Sequence, residues 1–290
     1  MKTLFVFNPA SGKGVDKEQV LETLKSRLDD MEFKIMETNE KFNSNRILEA
    51  LKGNEYERLL IGGGDGTINM ISQAVLNAGI KINIGIIPLG SANGLAKCLG
   101  IEDIPMAIQA IEDNSVNKVD ALSVNGNICL HLSDFGFNAG LIKKFEKEDE
   151  RGMISYFKSS LKQFLEMKPY RFTLKMKKEE FSVQAHMLVI ANGDRYGTGA
   201  VINPKGRIDD GKFEVISINI RGLDEILSLS LALFNGQIDK LDHVRIWSCT
   251  EAEIQNHDDA EFQIDGELQK TTKIATVNKE TDQLSFYGFL

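Results

Sequence analysis

The sequence predicts an α/β first part built on a largely parallel sheet, followed by a mainly β second part. Three observations carry this. Short apolar strands alternate with amphipathic helices up to about residue 115, and that βαβα order gives a parallel sheet covered by helices. Glycine-rich turns follow three strands of that part. Beyond Val116 the apolar residues recur every second position, and Asn125-Gly126 gives a strong hairpin signal.

In chain order, 3–7 is a short apolar strand. Asp16 caps a helix whose Val20, Leu21, Leu24 and Leu28 share one face. A strand at 33–36 precedes a helix marked by Ile47, Leu48 and Leu51. The strand at 59–61 runs into the turn at Gly62, and Ile68, Ile71 and Val75 give the next helix its buried stripe. A fourth strand spans 82–87. In the second part, strands at 119–124 and 128–132 flank Asn125-Gly126. A helix carries Ile154, Phe157, Leu161 and Phe164. Tyr170, Phe172, Leu174 and Met176 alternate with polar residues, as do Phe181, Val183, Ala185, Met187 and Val189, so both read as half-buried antiparallel strands. Further strands fall around 213–220, 242–248, 261–265 and 284–289, with an apolar helix at about 223–235.

Composition removes several function classes. A formal net charge of -8 leaves no overall basic character for nucleic acid, and any contact with an anionic membrane must use a local patch. No apolar run approaches the ~20 residues that span a bilayer. The N-terminus does not read as a signal peptide. Cys98, Cys129 and Cys249 are too sparse for a disulfide framework or a zinc site and fit buried thiols in a reducing cytosol. His131, His186, His243 and His257 show no metal-ligand spacing.

The chemistry lies in the three turns: Asn8-Pro9-Ala10-Ser11-Gly12-Lys13-Gly14, Gly62-Gly63-Gly64-Asp65-Gly66-Thr67, and Pro88-Leu89-Gly90-Ser91-Ala92-Asn93-Gly94. Loops beyond the carboxyl ends of parallel strands gather in one crevice. Glycines admit a ligand close to the backbone, and amide nests and helix N-termini favour phosphate. The first turn is not a Walker loop, since Gly14 stands where Ser or Thr should follow the lysine. Asp65 beside a phosphate nest implies an intervening cation, Mg²⁺.

These runs resemble the diacylglycerol kinase catalytic domain and its bacterial lipid kinase relatives, which share a superfamily with NAD kinases. The resemblance extends through Ala191-Asn192-Gly193, Tyr196-Gly197-Thr198-Gly199, Pro204 to Asp209-Asp210-Gly211, and Asp265-Gly266-Glu267. It implies a nucleotide-binding α/β domain at 1–118 and an antiparallel β-sandwich lipid-substrate domain at 119–290. The extreme C-terminus is free to return to the first domain, and ATP is expected in the cleft between the two. The nucleotide residues implied are Asn8, Pro9, Ser11, Gly12, Lys13, Thr38, Gly62, Gly63, Gly64, Asp65, Gly66, Thr67, Ser91 and Asn93. Glu267 is implied as general base, with Asp65 as the second catalytic carboxylate and Asp265 as an orienting or magnesium-contacting group. A structural Mg²⁺ site is implied at Asp210 with the carbonyls of Arg207 and Lys212; an ordinary surface turn is the competing reading.

The expected activity is ATP-dependent phosphorylation of a lipid hydroxyl, diacylglycerol-like, by a cytoplasmic protein that docks peripherally on membranes. The docking segment expected is 143–164, where Lys143, Lys144 and Lys147 adjoin an apolar helix, against the plainer reading of a solvated charge run. Gly94 stands where relatives often carry Asp, which brings the third turn closer to sphingoid-base kinases. An NAD kinase and a non-catalytic nucleotide sensor are the rival readings. Monomer and homodimer both stay open.

Overall fold

The computed structural model describes residues 2–9, 11, 17–28, 32–38, 44–53, 56–136, 168–177, 179–280 and 283–290. The chain forms two compact units. One comprises Met1–Ala121 with Glu280–Leu290, the other Leu122–Lys279. The expected cap Asp16, and the expected helix and docking segment at 143–164, lie outside the described residues.

In the first unit, strands β1 (Lys2–Phe7), β2 (Glu32–Glu37), β3 (Arg58–Gly63) and β4 (Asn83–Pro88) alternate with helices α1 (Lys17–Arg27), α2 (Ser44–Gly53) and α3 (Asp65–Asn77). Helices α4 (Gly94–Cys98) and α5 (Ile104–Glu112) follow, then β5 (Val116–Val119); β18 (Leu284–Tyr287) joins from the far end of the chain. The sheet order is β2-β1-β3-β4-β18-β5, with every pairing parallel except β18 with β5. Strands β1, β3 and β4 are nearly unbroken apolar runs because helices cover both faces; Leu4, Val6, Leu59, Leu60, Ile61, Ile84 and Ile86 are all buried. Of the apolar stripes expected on the helices, Val20, Leu24 and Leu28, Ile47 and Leu51, and Ile68, Ile71 and Val75 are buried, while Leu21 and Leu48 are half-buried. Helix α5 was not expected. Asp103 caps it by accepting the Met106 N–H at 2.9 Å, and proline stands in its first turn.

The second unit has two antiparallel sheets. One contains β6 (Leu122–Val124), β7 (Asn127–Cys129), β9 (Tyr170–Met176), β10 (Glu179–Ala185), β14 (Glu251–Asn256) and β17 (Ile274–Lys279), ordered β10-β9-β14-β17-β6-β7. The other contains β8 (Leu132–Gly136), β11 (Met187–Ala191), β12 (Phe213–Ile218), β13 (Val244–Cys249), β15 (Phe262–Ile264) and β16 (Glu267–Gln269), ordered β13-β12-β11-β8-β15-β16. Their inner faces share one core, with Phe172, Leu174, Ile254 and Val277 from the first sheet and Phe135, Leu188, Ile190 and Phe213 from the second. This is the sandwich that the resemblance implies. The outer face of the second sheet, through Val189, Ile216 and Ile218, packs under helix α6 (Leu223–Asn235).

Three expected strands are each divided. The run 119–124 splits at Asp120 and Ala121 between β5 of the first unit and β6 of the second. Asp120 is wholly buried and accepts the Gln283 amide at 2.7 Å. The run 128–132 splits between β7 and β8. The run 181–189 breaks at His186, which carries the chain from one sheet to the other. Its N–H donates to Ile218 O at 2.9 Å, and its Nδ1 accepts the Ile220 N–H at 3.2 Å. The Asn125-Gly126 turn forms as expected, with φ of 51° and 82°.

Candidate functional site

The parallel register brings the carboxyl ends of four strands into line. Phe7 lies beside Gly62 and Glu37, and Gly63 beside Pro88. Backbone hydrogen bonds continue past the strand ends: Asn8 N–H to Gly62 O at 2.8 Å, Thr38 N–H to Phe7 O at 2.9 Å, and Leu89 N–H to Gly63 O at 3.0 Å. Asn8, Thr38 and the second and third turns therefore meet at one sheet edge. Ser11 closes the first turn by donating its N–H to Asn8 O at 3.1 Å, and Pro9 beside it is half-buried. Gly12 and Lys13 lie outside the described residues.

Side chains tie the turns together. The Asn8 amide donates to Thr67 Oγ1 at 3.2 Å, joining the first turn to the second. Asp65 Oδ1 accepts the Leu95 N–H at 3.3 Å, joining the second turn to helix α4 behind the third. Asn93 adopts the left-handed conformation (φ 56°) that its short polar side chain tolerates. There it accepts the Gly90 N–H at 2.8 Å and donates back to Gly90 O at 2.9 Å, closing the third turn.

The two glycine turns also meet backbone to backbone. A Cβ on Gly90 would stand 2.5 Å from Gly64 Cα and 2.6 Å from Asn93 Oδ1; one on Gly63 would stand 2.7 Å from Thr67 Cβ. Only glycine permits that approach. Helix α3 starts at Asp65 with Gly64 as its cap and no side-chain capping bond, so its first N–H groups point out of the turn. Gly66 and Ser91 are exposed, and Gly64, Asp65 and Thr67 half-buried, so the edge is accessible. Exposed N–H groups at a helix start suit phosphate oxygens.

In the second unit, Asp265 and Gly266 form a two-residue turn with φ of 48° and 85° between β15 and β16. It presents Glu267 on the edge strand, exposed and with no side-chain hydrogen bond or ion pair among the described residues. Asp265 itself is turned inward. It is buried and accepts three backbone N–H groups, from Leu130 (2.9 Å), His131 (2.9 Å) and Leu132 (3.0 Å). Burial pushes its carboxyl up, with the His131 charge and those N–H groups opposing. Both oxygens are thus committed to the β7–β8 connection. That connection also holds the 192–195 segment: Asn192 donates its side-chain amide to Leu130 O at 2.7 Å, the N–H groups of Asn192 and Gly193 reach His131 O at 3.0 Å, and the His131 ring meets Arg195 O. The Glu267 hairpin and the Asn192-Gly193 turn are therefore parts of one hydrogen-bonded assembly, anchored by Asp265.

The acidic turn at 209–211 is partly self-satisfied. Arg207 holds Asp209 through two hydrogen bonds, of 2.9 and 2.8 Å, and the exposed Asp210 accepts the Lys212 N–H at 3.0 Å. Gly211 supplies the positive φ of 78°. Among the described residues no cluster of three or more His, Cys, Asp or Glu side chains is placed to hold a metal. Magnesium does not need one, because it accepts one or two carboxylates and takes its other ligands from phosphates and water. Asp65 and Asp210 each keep a second carboxylate oxygen with no partner among the described residues, so both positions fit that ion.

Residues 2–124 match the model of the diacylglycerol kinase catalytic domain, and residues 135–279 that of the YegS C-terminal NAD kinase beta sandwich-like domain. The chain is 28% identical over 186 residues to a Pseudomonas aeruginosa protein (strain PAO1) named "Probable lipid kinase YegS-like". That alignment takes in 63% of this chain and 62% of the relative, less than two thirds of its length. A Klebsiella pneumoniae protein of the same name is 28% identical over 263 residues, 89% of this chain and 87% of the relative. Among solved structures, a Bacillus anthracis diacylglycerol kinase overlays with a TM-score of 0.76 at 16% identity, covering 99% of this chain and 97% of that one. An Archaeoglobus fulgidus NAD kinase in complex with ATP overlays with a TM-score of 0.54 at 15% identity, covering 99% and 93%. At those identities the overlays speak for the fold. With matched models accounting for most of its length, the chain belongs to the family that joins a diacylglycerol kinase catalytic domain to a YegS C-terminal NAD kinase beta sandwich-like domain.

Proposed function

We propose that this protein transfers the γ-phosphoryl group of ATP to the hydroxyl of a diacylglycerol-like lipid at a membrane surface. The observation that carries this reading is the joining of the three turns at one sheet edge, through Asn8–Thr67, Asp65–Leu95 and the Gly64–Gly90 contact. Backbone N–H groups there would cradle the phosphates, with Thr38, Ser91 and Asn93 lining the nucleotide. Asp65 would hold magnesium, which when bound neutralises phosphate charge, and Asp210 with the carbonyls of Arg207 and Lys212 would hold a separate, structural magnesium. Glu267 would accept the proton from the lipid hydroxyl as its oxygen attacks the γ-phosphorus and ADP leaves. A free, exposed carboxylate on a rigid hairpin suits that duty. In phosphoryl transfer, positioning and charge neutralisation supply the larger share.

Labelled ATP with a panel of lipids in detergent micelles, and NAD as a control acceptor, tests the reading. The expected result is transfer to a glycerolipid hydroxyl. Asp65→Ala should abolish it, and Glu267→Gln should lower kcat by about 10²–10⁴-fold with ATP affinity little changed. Transfer to a sphingoid base would give weight to Gly94, transfer to NAD would move the chain to the rival kinase, and ATP binding without any transfer would leave a nucleotide sensor. Undiminished lipid phosphorylation by Asp65→Ala would remove the second turn from the site.

A further inference from the structure

Helix α6 is apolar on two sides. Ile226, Leu229, Ala232 and Leu233 pack onto the second sheet. On the opposite side Leu223, Leu227, Leu231 and Phe234 are 53%, 60%, 69% and 79% exposed. At 3.6 residues per turn these four fall within an arc of roughly 80°. They make one continuous stripe, whereas Ile35, Leu268 and Ile274 are exposed singly on β-strands.

Two hydroxyls near the stripe are tied into the helix backbone, while the exposed polar groups Asp224 and Asn235 stand at the two ends of the helix. Ser230, which lies on the edge of the stripe, donates its hydroxyl to Ile226 O at 2.9 Å, and Ser228 donates to Glu225 O at 2.9 Å. The stripe therefore presents neither charge nor a free hydroxyl proton. A surface of that kind suits hydrocarbon, where every polar group must be satisfied internally. The helix contains no lysine or arginine, and its acids, Asp224 and Glu225, are confined to the first turn.

We propose that the outer face of α6 is a membrane-docking surface, inserting Leu223, Leu227, Leu231 and Phe234 among the acyl chains of a phospholipid leaflet. This rests on the reading of the protein as a lipid kinase. The make-up of the stripe favours a bilayer over a second copy of the chain. Its four side chains expose on the order of 500 Å² of apolar surface, as large as the patches that mark interaction sites. Protein interfaces anchor on Trp, Tyr and Arg, and leucine is under-represented among their hot spots, whereas three leucines and a phenylalanine suit acyl chains. An uncharged stripe also sets the mode of binding. Insertion is driven by apolar burial, so it persists at high salt, unlike docking through a lysine patch.

Co-sedimentation with vesicles of phosphatidylethanolamine and phosphatidylglycerol, without ATP, tests this. The wild-type chain should bind at low and high salt. Leu227→Glu with Leu231→Glu should weaken binding by about tenfold or more, and the uncharged pair Leu227→Ser with Phe234→Ser should weaken it as well. All should melt alike, since these side chains face away from the core. Phosphorylation of a water-dispersed short-chain diacylglycerol should be unchanged in the variants, while that of vesicle-borne diacylglycerol falls. Wild-type binding that the variants retain, wild-type binding lost at high salt, or no binding at all would overturn the proposal. So would a wild-type dimer in sedimentation that the variants convert to monomer. Vesicle binding that depends on α6 in a chain that phosphorylates no lipid would uphold the docking face and overturn the kinase reading instead. Lipid turnover in vesicles indifferent to the variants would do the reverse.

Discussion

Asp134 shows how one residue can set a pH response. It lies in β8, 2% exposed, with the Gln263 amide donating to it. Burial pushes its carboxyl up from 3.8 to about 7, with the Gln263 hydrogen bond opposing. Between those two values the folded chain keeps a proton that the unfolded chain has lost. Stability therefore falls as pH rises through that window and levels off above it, by on the order of 4 kcal/mol in all. Asp134→Asn keeps the shape and an acceptor for Gln263 but removes the titration. Urea unfolding at pH 5 and pH 8 should show the variant gaining on wild type at the higher pH, and an equal difference at both would refute the assignment. Nothing in the sequence marks Asp134, because its burial depends on strands β11 and β15 arriving on either side. Asp265 was legible as half of an Asp-Gly turn, and that turn forms. Its service to three N–H groups was not legible, since residues 130–132 lie far away in sequence.

At the scale of elements, the meeting of turns two and three is the tightest feature. Gly90→Ala would drive a methyl group into Gly64 Cα, which is backbone and cannot rotate aside. The turns must separate, and ATP affinity should fall at least about tenfold, with a stability loss of about 1–3 kcal/mol. Gly53→Ala, at the end of α2 with nothing within 4 Å, is the matched control and should be neutral or slightly stabilising. Titration calorimetry and thermal melts check both; equal ATP affinity in the two variants would show that the Gly64–Gly90 contact does not shape the nucleotide site. The turns themselves were legible, because glycine clusters after apolar runs have few other meanings. Their contact was not, since it follows from the register of β3 on β4. Strand reading failed where a second rule overrode alternation. From Phe181 to Val189 the apolar period is unbroken, yet His186 ends one strand and β11 begins in the other sheet, buried on both faces. Strands β14 and β17 escaped notice because each buries only two apolar side chains, one of them an alanine: Ala252 with Ile254, and Ala275 with Val277.

At the scale of the molecule, the second unit is inserted within the first. Strand β18 lies between β4 and β5 with Leu284, Phe286 and Tyr287 buried, and it is fixed further by Ser115 Oγ and Asn117 Nδ2, both donating to Gly288 O at 2.7 Å. Losing a buried aromatic costs about 3–5 kcal/mol, so Phe286→Ala should lower the melting temperature of the first unit and, on the proposed function, weaken ATP binding, although Phe286 lies outside the three turns. Removal of 284–290 should leave that unit unable to bind ATP at all. An ATP affinity unaltered by the truncation would show that the unit is complete without its last strand. The two residues that flank the insert are bound to each other, with Glu280 N–H donating to Ala121 O at 2.8 Å. This arrangement inverts the usual order of maturation on the ribosome, where the N-terminal domain folds first. Here β1 to β5 are synthesised early, but the slot between β4 and β5 stays open until all of 122–279 has been translated. The sandwich can be finished while the sheet of the first unit still lacks an interior strand, so on the proposed function a nascent chain should acquire affinity for ATP only after the second unit is already built.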